Sequence, residues 1–227
     1  MMIKKIIVIL GTVLVMPTTY AYQGLYLGGG VGAITGTVNY NGDVYSIGKN
    51  NTHYTETAVL GQLNLGYAQT FDNFFAGIEL GFEFSDLDLS DITHQIQGPN
   101  SITSEIKTSL NNTYYAVIRP GFAVQDKYFF YALGGITQGD FSVTDSVSNN
   151  NDNTVEIFNN DDSVTGYRLG LGFTGPLYEH FAWRLEYSYT DYDSFDHEVS
   201  DKDGHTSQFT RDMATQQVVL GILFNGM

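Results

Sequence analysis

Residues 74–84, FFAGIELGFEF, alternate with a period of two. Phe74, Ala76, Ile78, Leu80, Phe82 and Phe84 lie on one side, and Phe75, Gly77, Glu79, Gly81 and Glu83 on the other. Successive side chains of an extended strand point to opposite faces, so the pattern is that of a β-strand. Seven other segments alternate in the same way: residues 24–35, 58–68, 113–124, 128–139, 165–174, 181–192 and 217–224. The pattern admits two folds. In water the apolar face turns inward and the glutamates outward; in a membrane barrel the same strand is inside out.

Charge placement separates the two. The chain has 10 basic and 25 acidic residues, a net −15. Almost all of that imbalance lies in four long connections, residues 36–57, 86–108, 140–163 and 191–212. The strands hold Glu79, Glu83 and Glu186 against Arg119, Arg168 and Arg184, with no lysine, and all six lie on the glycine-rich face. A wet sheet face would carry lysine, threonine and glutamate and have little use for glycine. The chain has 25 glycines in 227 residues, above the ordinary roughly 7%, and they are spread through the apolar segments. An eight-stranded barrel has an interior just wide enough for side chains to fill. Small residues there make room for a few long ones, and buried charges must be paired. The apolar faces are therefore expected to meet lipid: Leu25, Leu27, Val31 and Ala33 in the first strand, and Phe129, Tyr131 and Leu133, opposite Ala132, Gly134 and Gln138, in the fifth.

The amino terminus agrees with export. Lys4 and Lys5 precede an apolar run from Ile6 to Met16, and PTTYAY follows with Thr19 and Ala21 at small-residue cleavage positions. The run is too short for a spanning helix, which needs about 20 residues, and reads as a signal peptide over residues 1–21, with one barrel domain over 22–227. Cysteine is absent, so no disulfide framework supports the fold. Connections after the first, third, fifth and seventh strands are long, while QTFDN, QDK and GPLYEH are tight turns. Short periplasmic turns and long outer loops mark an outer-membrane barrel and put both termini in the periplasm. Aromatic residues cluster near both ends of the strands, as in interfacial girdles.

The expected architecture is therefore all-β: an eight-stranded antiparallel up-and-down transmembrane barrel with four long outer loops. GLYLGGGVGA, GIELGFEF, YAVIRPGF, YRLGLGF, WRLEYSYTDY and the closing VVLGILF resemble the small outer-membrane β-barrels of Gram-negative bacteria, the OmpA-like transmembrane and opacity-protein group. The resemblance covers residues 22–227 and implies outer-membrane lipid, lipopolysaccharide and the barrel-assembly machinery as partners. Its patterns specify architecture more than activity. Two departures stand out: the chain stops after the eighth strand, so no peptidoglycan-binding domain is implied, and Phe224 is followed by Asn225, Gly226 and Met227 where the family ends on an aromatic residue.

Glu79, Glu83, Arg119, Arg168, Arg184 and Glu186 form the candidate site, a lumen ionic network. It reads either as an ion gate or as a filled core that fixes register and plugs the barrel. The second reading is favoured because small barrels are filled by their side chains. Histidine limits catalysis: His53, His94, His197 and His205 fall in loops and His180 at a turn, while Ser188 has no strand histidine beside it. An Asp196–His197 pair reads as a solvated loop dipeptide. NNNDNTVEIFNNDDS and DYDSFDHEVSDKDGH are rich in oxygen donors but lack EF-hand spacing, so no metal or cofactor is assigned. The acidic surface argues against nucleic acid. The leading expectation is a non-enzymatic envelope protein with weak porin-like passage of small solutes. The alternative is an adhesin that recognises a host or matrix ligand through its loops; a lipid- or peptide-modifying enzyme ranks third.

Overall fold

The computed structural model describes residues 24–44, 48–90, 94–96, 102–125, 127–149, 154–200 and 206–225. Residues 1–23, which include the segment expected to be a signal peptide, and the last two residues lie outside them. Nine strands follow in order: β1 Gly24–Val44, β2 Gly48–Phe71, β3 Phe74–Ser90, β4 His94–Ile96, β5 Ile102–Val124, β6 Tyr128–Asn149, β7 Thr154–Tyr178, β8 Phe181–Ser200 and β9 Thr206–Asn225. Every pairing is antiparallel. β1 pairs with both β2 and β9, and β3 pairs with β5, for example Ile78 opposite Ile118, so the eight long strands close on themselves. The short β4 adds a rung to β5, His94 opposite Ser104. Closure matters because hydrocarbon leaves no partner for an unpaired strand edge. Among the described residues no helix is long and apolar enough to cross a membrane.

Within the closed wall the apolar faces point out. Ile78 is 60% exposed and Leu169 65%, whereas Arg119 is fully buried and Glu83 is 1% exposed. Leu25, Leu27, Val31, Leu63, Leu65, Leu80, Leu185, Leu220 and Ile222 complete an apolar outer band. A continuous apolar surface of this kind is unsuited to water. Exposed aromatics border the band, with Phe71, Phe74, Tyr178 and Phe181 at the turn end and Phe84, Tyr114, Tyr187 and Tyr189 at the other. Tyr128 stacks on Phe173 at 5.8 Å, and Phe173 meets Trp183 edge-on at 5.3 Å. The tight turns take strained backbone where sequence permits it: Asp72 has φ 51° and Gln125 φ 53°, values the short polar side chain of Asp tolerates well.

Two expectations are corrected. On β6, Phe129, Tyr131 and Leu133 face the lumen, at 3% exposure or less, while Phe130, Ala132 and Ile136 face outward. Residues 128–139 carry no charge on either face, so alternation alone gave no polarity to orient them. The surroundings do: Phe129 packs on Phe75 at 5.3 Å inside, and Phe130 on Phe122 at 5.8 Å outside.

The long connections, expected as loops, are in large part strand. The β1–β2 ladder continues to Val44 opposite Gly48, β6–β7 to Asn149 opposite Thr154, and β8–β9 to Ser200 opposite Thr206. Beyond the apolar band polarity inverts along the same strands. Thr35, Thr37, Thr55, Thr57, Asp86, Asp88 and Asp161 face outward to varying degrees, and Ile34, Val38, Leu87, Leu89, Leu110, Phe141, Val164 and Met213 are buried inside. On β5 a register shift between Leu110 and Asn112 accompanies the change, as β-bulges re-aim side chains. The strands thus leave lipid and enter water without breaking, with the usual soluble facing restored.

The wall also divides there. The β2–β3 ladder reaches only Leu60 opposite Ser85, and β7–β8 only Gly166 opposite Tyr192. No ladder among the described residues joins Val59 to Asp86 or Thr165 to Asp193. Above these points stand two sheets, β8–β9–β1–β2 and β3–β5–β6–β7, packed around one apolar cluster drawn from both. A barrel in the membrane becomes a two-layer sandwich outside it.

Candidate functional site

Successive inward residues on the glycine-rich faces build the lumen layer by layer. Near the turns Ala68, Phe75, Phe129, Ala182 and Leu223 form an apolar base. Above it the structure places Glu79 (β3), Arg119 (β5), Arg184 and Glu186 (β8) in one group. Arg119 Nη2 lies 2.9 Å from Glu79 Oε1 and 3.0 Å from Glu186 Oε2, so one guanidinium bridges two carboxylates. Arg184 Nη1 reaches Glu79 Oε2 at 2.6 Å, and its Nε stands 4.0 Å from Glu186. One level further out Glu83 takes a bidentate pair from Arg168, both contacts at 2.7 Å, and Gln217 Nε2 donates to the same carboxylate at 2.7 Å. Arg168 Nε donates to Thr190. Three anions meet three cations, and the planar fork of arginine suits such shared and bidentate contacts better than a lysine point charge.

Tyrosines complete the group, and no sequence signal assigned them. Tyr26 OH donates to Glu79 at 2.7 Å, Tyr115 OH to Glu79 at 2.8 Å, and Tyr131 OH to Glu186 at 2.9 Å. Gln62 in turn donates to Tyr115 OH. The register explains the reach. Tyr26 on β1 stands opposite Gly66 on β2, which stands opposite Glu79 on β3; Tyr131 on β6 stands opposite Gly172 on β7, which stands opposite Glu186 on β8. In each row a glycine lets the phenol lie across its strand to the carboxylate beyond. A Cβ at Gly66 would overlap the Tyr26 ring, one at Gly172 the Tyr131 ring, and one at Gly81 the Tyr115 ring. Alternation with Leu25 and Leu27 puts Tyr26 on the inward face, but a row across three strands is invisible to spacing within one. Arg168 lies over the Tyr115 face at 4.6 Å, within cation–π range.

The outer mouth is closed by the sandwich cluster, where Phe141 meets Tyr192 edge-on at 5.2 Å beside Leu87, Leu89, Leu110 and Met213. The charged layer is therefore held between two apolar ones. Chemically it is self-neutralising, with its carboxylates engaged by arginine and phenol. Outside the membrane span, Asp88 accepts from Ser109 at 2.6 Å and pairs with Lys107 at 3.2 Å. The Ser109 hydroxyl, with help from the Lys107 ammonium, holds the Asp88 carboxyl below the usual aspartate range.

The other sequence candidates do not converge. His53 is exposed on β2 with Nδ1 2.7 Å from Asn39 Oδ1. His180 is exposed at the β7–β8 turn, and Ser188 is buried in the lumen wall. The side chains of His94, Asp196, His197 and His205 lie outside the described residues. Among the described residues no group of three or more His, Asp or Glu could hold a metal ion.

Comparison with known proteins agrees with this architecture. A curated relative, the 22 kDa outer membrane protein of Rhizobium leguminosarum bv. viciae, is 24% identical over 206 residues, covering 89% of this chain and 77% of the relative. Among solved structures, the outer membrane protease OmpT of Escherichia coli superposes with a TM-score of 0.51 at 7% identity, covering 92% of this chain and 98% of that one, a likeness of fold alone. The attachment invasion locus protein Ail of Yersinia pestis matches with a TM-score of 0.34 at 13% identity over 89% of this chain and 99% of Ail. The model of the outer membrane protein beta-barrel domain matches residues 6–213. A closed barrel with an apolar exterior, a self-paired ionic core and a match over most of its length places this chain in the outer-membrane β-barrel family, as an integral protein of the outer membrane.

Proposed function

We infer that the barrel is a sealed mount, and that the sandwich it raises above the membrane is its working part. In this reading the protein is a non-enzymatic component of the envelope and not a pore. The observation that carries it is the closed outer mouth: apolar side chains from both sheets fill the space above the Glu83–Arg168 pair, and a hydrated ion crossing them would shed its water at a cost of many kcal/mol. The ionic layer then fixes register and plugs the wall, its charges spent on one another. No carboxylate in that layer is open to a substrate.

The sandwich supports the second half of the reading. Soluble facing, restored over four hairpins, is more than a membrane anchor needs. Lipopolysaccharide around the outer band and the assembly machinery during insertion are the partners every such barrel would meet. A ligand on another cell or matrix would be met by the sandwich.

Conductance tests the inference. The refolded chain in a planar bilayer is expected to give no stable openings at ordinary voltages. Steady, reproducible openings from the unaltered chain would overturn the sealed reading and restore porin-like passage.

A further inference from the structure

We propose that the free edge of β2 above the membrane, from Gly48 to Val59, is a docking strand for an extended, basic polypeptide segment, which joins the outer sheet by strand addition. The proposal rests on taking the sandwich as the working part of the molecule.

The division of the wall creates the edge. β2 is paired with β1 along its whole length, yet its ladder with β3 stops at Leu60 opposite Ser85. Across the gap β3 continues through Leu87 to Ser90, paired among the described residues with β5 alone. A β-strand edge presents a row of backbone N–H and C=O groups ready to pair. Soluble sheets blunt such edges with proline, bulges or crowding charge. Residues 48–59, GKNNTHYTETAV, contain no proline, run in unbroken register with β1, and end in the strand-favouring Tyr54, Thr55, Thr57 and Val59. The strand is also braced from behind: Thr57 bonds Thr35 at 2.9 Å and His53 bonds Asn39 at 2.7 Å, while Tyr54 and Ala58 pack on the sandwich core. A braced edge loses little freedom on pairing, which favours binding.

Charge selects the occupant. Glu56, Asp86 and Asp88 are exposed on the two sides of the gap; Asp88 is paired with Lys107, and the edge strand itself also carries Lys49, so Glu56 and Asp86 are the carboxylates left to an incoming strand. An exposed carboxylate beside the gap repels an acidic strand, and a neutral one would desolvate it without compensation. It also repels a second copy of this chain, whose net charge is −15. A segment with lysine or arginine at alternate positions would set its cations against these carboxylates, gaining on-rate and register as well as pairing. Strand addition takes its affinity from main-chain hydrogen bonds and its selectivity from alternate side chains; β2 supplies the first and Glu56 with Asp86 the second.

The test uses the full refolded chain in zwitterionic nanodiscs and an alternating lysine–threonine peptide long enough to span the edge. A second peptide of the same sequence carries N-methyl groups on the amides of one edge, keeping the charge and removing the donors. The first peptide is expected to bind and to protect the amides of residues 48–59 from hydrogen exchange. The methylated one should bind at least about ten-fold more weakly, because main-chain bonds supply the affinity. Glu56→Gln with Asp86→Asn should weaken the first peptide several-fold at low salt and leave the pattern of protection unchanged. Equal binding of both peptides would reduce the site to bulk charge attraction and overturn the proposal, as would protection elsewhere or none. Conductance does not enter this readout, so a leaky barrel and an inert edge are separately detectable.

Discussion

Arg119 is the residue on which most of the inner layer depends, because it bridges Glu79 and Glu186 at 2.9 and 3.0 Å with no solvent exposure, closer to Glu186 than Arg184 at 4.0 Å. Truncating one partner of a buried ionic group leaves a charge uncompensated, here two carboxylates facing Arg184 alone, which typically costs about 3–5 kcal/mol. Arg119→Ala is therefore expected to lose about that much in urea unfolding of the refolded barrel, a large share of a domain stability of about 5–15 kcal/mol. A loss within error of zero would mean the layer is solvated and not a core. The glycine seats make a separate claim. Gly172→Ala pushes a methyl group into the Tyr131 ring and should cost about 1–3 kcal/mol, as overpacking does. Gly134→Ala points its methyl outward, with Leu169 at 3.4 Å as its near neighbour, and should stay within about 0.5 kcal/mol. If the two alanines cost the same, the seats are not what brings the phenols to the carboxylates.

Among the elements, β6 is the informative one. Alternation fixed its period but not its sign, because residues 128–139 offer phenylalanine, tyrosine and leucine on one face and phenylalanine, alanine and isoleucine on the other. Its neighbours settle the matter: Tyr131 is drawn inward by Glu186 at 2.9 Å and seated across Gly172. The native chain has no cysteine, so single cysteines report facing cleanly. Ala132→Cys should react with a lipid-soluble maleimide in the folded barrel and Leu133→Cys should not. The reverse pattern would put the strand the other way round. The hairpin extensions carry a related lesson. Residues 36–57 and 140–163 read as polar loops by charge, yet Val38, Phe141 and Val143 keep the period of two with the apolar side now inward. A search for one polarity throughout the strand misses an inversion at the lipid boundary, where the solvent outside the wall changes.

For the whole molecule, closure and division act together. Inside the bilayer the eight long strands leave no edge, as hydrocarbon requires; outside it, water satisfies free backbone groups, so two seams are tolerable and the wall can flatten into a sandwich. The electrical silence expected of this barrel belongs to that scale, since it depends on the apolar base and the outer cluster and not on any one ion pair. Arg119→Ala should accordingly weaken the barrel without opening it. A variant that both folds and conducts steadily would show that the ionic layer is itself the seal.

What the sequence determined by itself was local and repetitive. The period of two gave eight strands, the segregation of charge turned their apolar faces to lipid, and glycine beside arginine and glutamate marked the inner wall. These properties are written along one strand at a time. Pairing is not: Glu79 and Arg184 meet from 105 positions apart, and the Tyr–Gly–Glu rows need three strands in register. The facing of β6, the partners of each charge and the two seams all depend on where neighbouring strands stop and start. Only the tertiary structure decides that, because register is a relation between strands, and alternation within a single strand is satisfied by more than one of them.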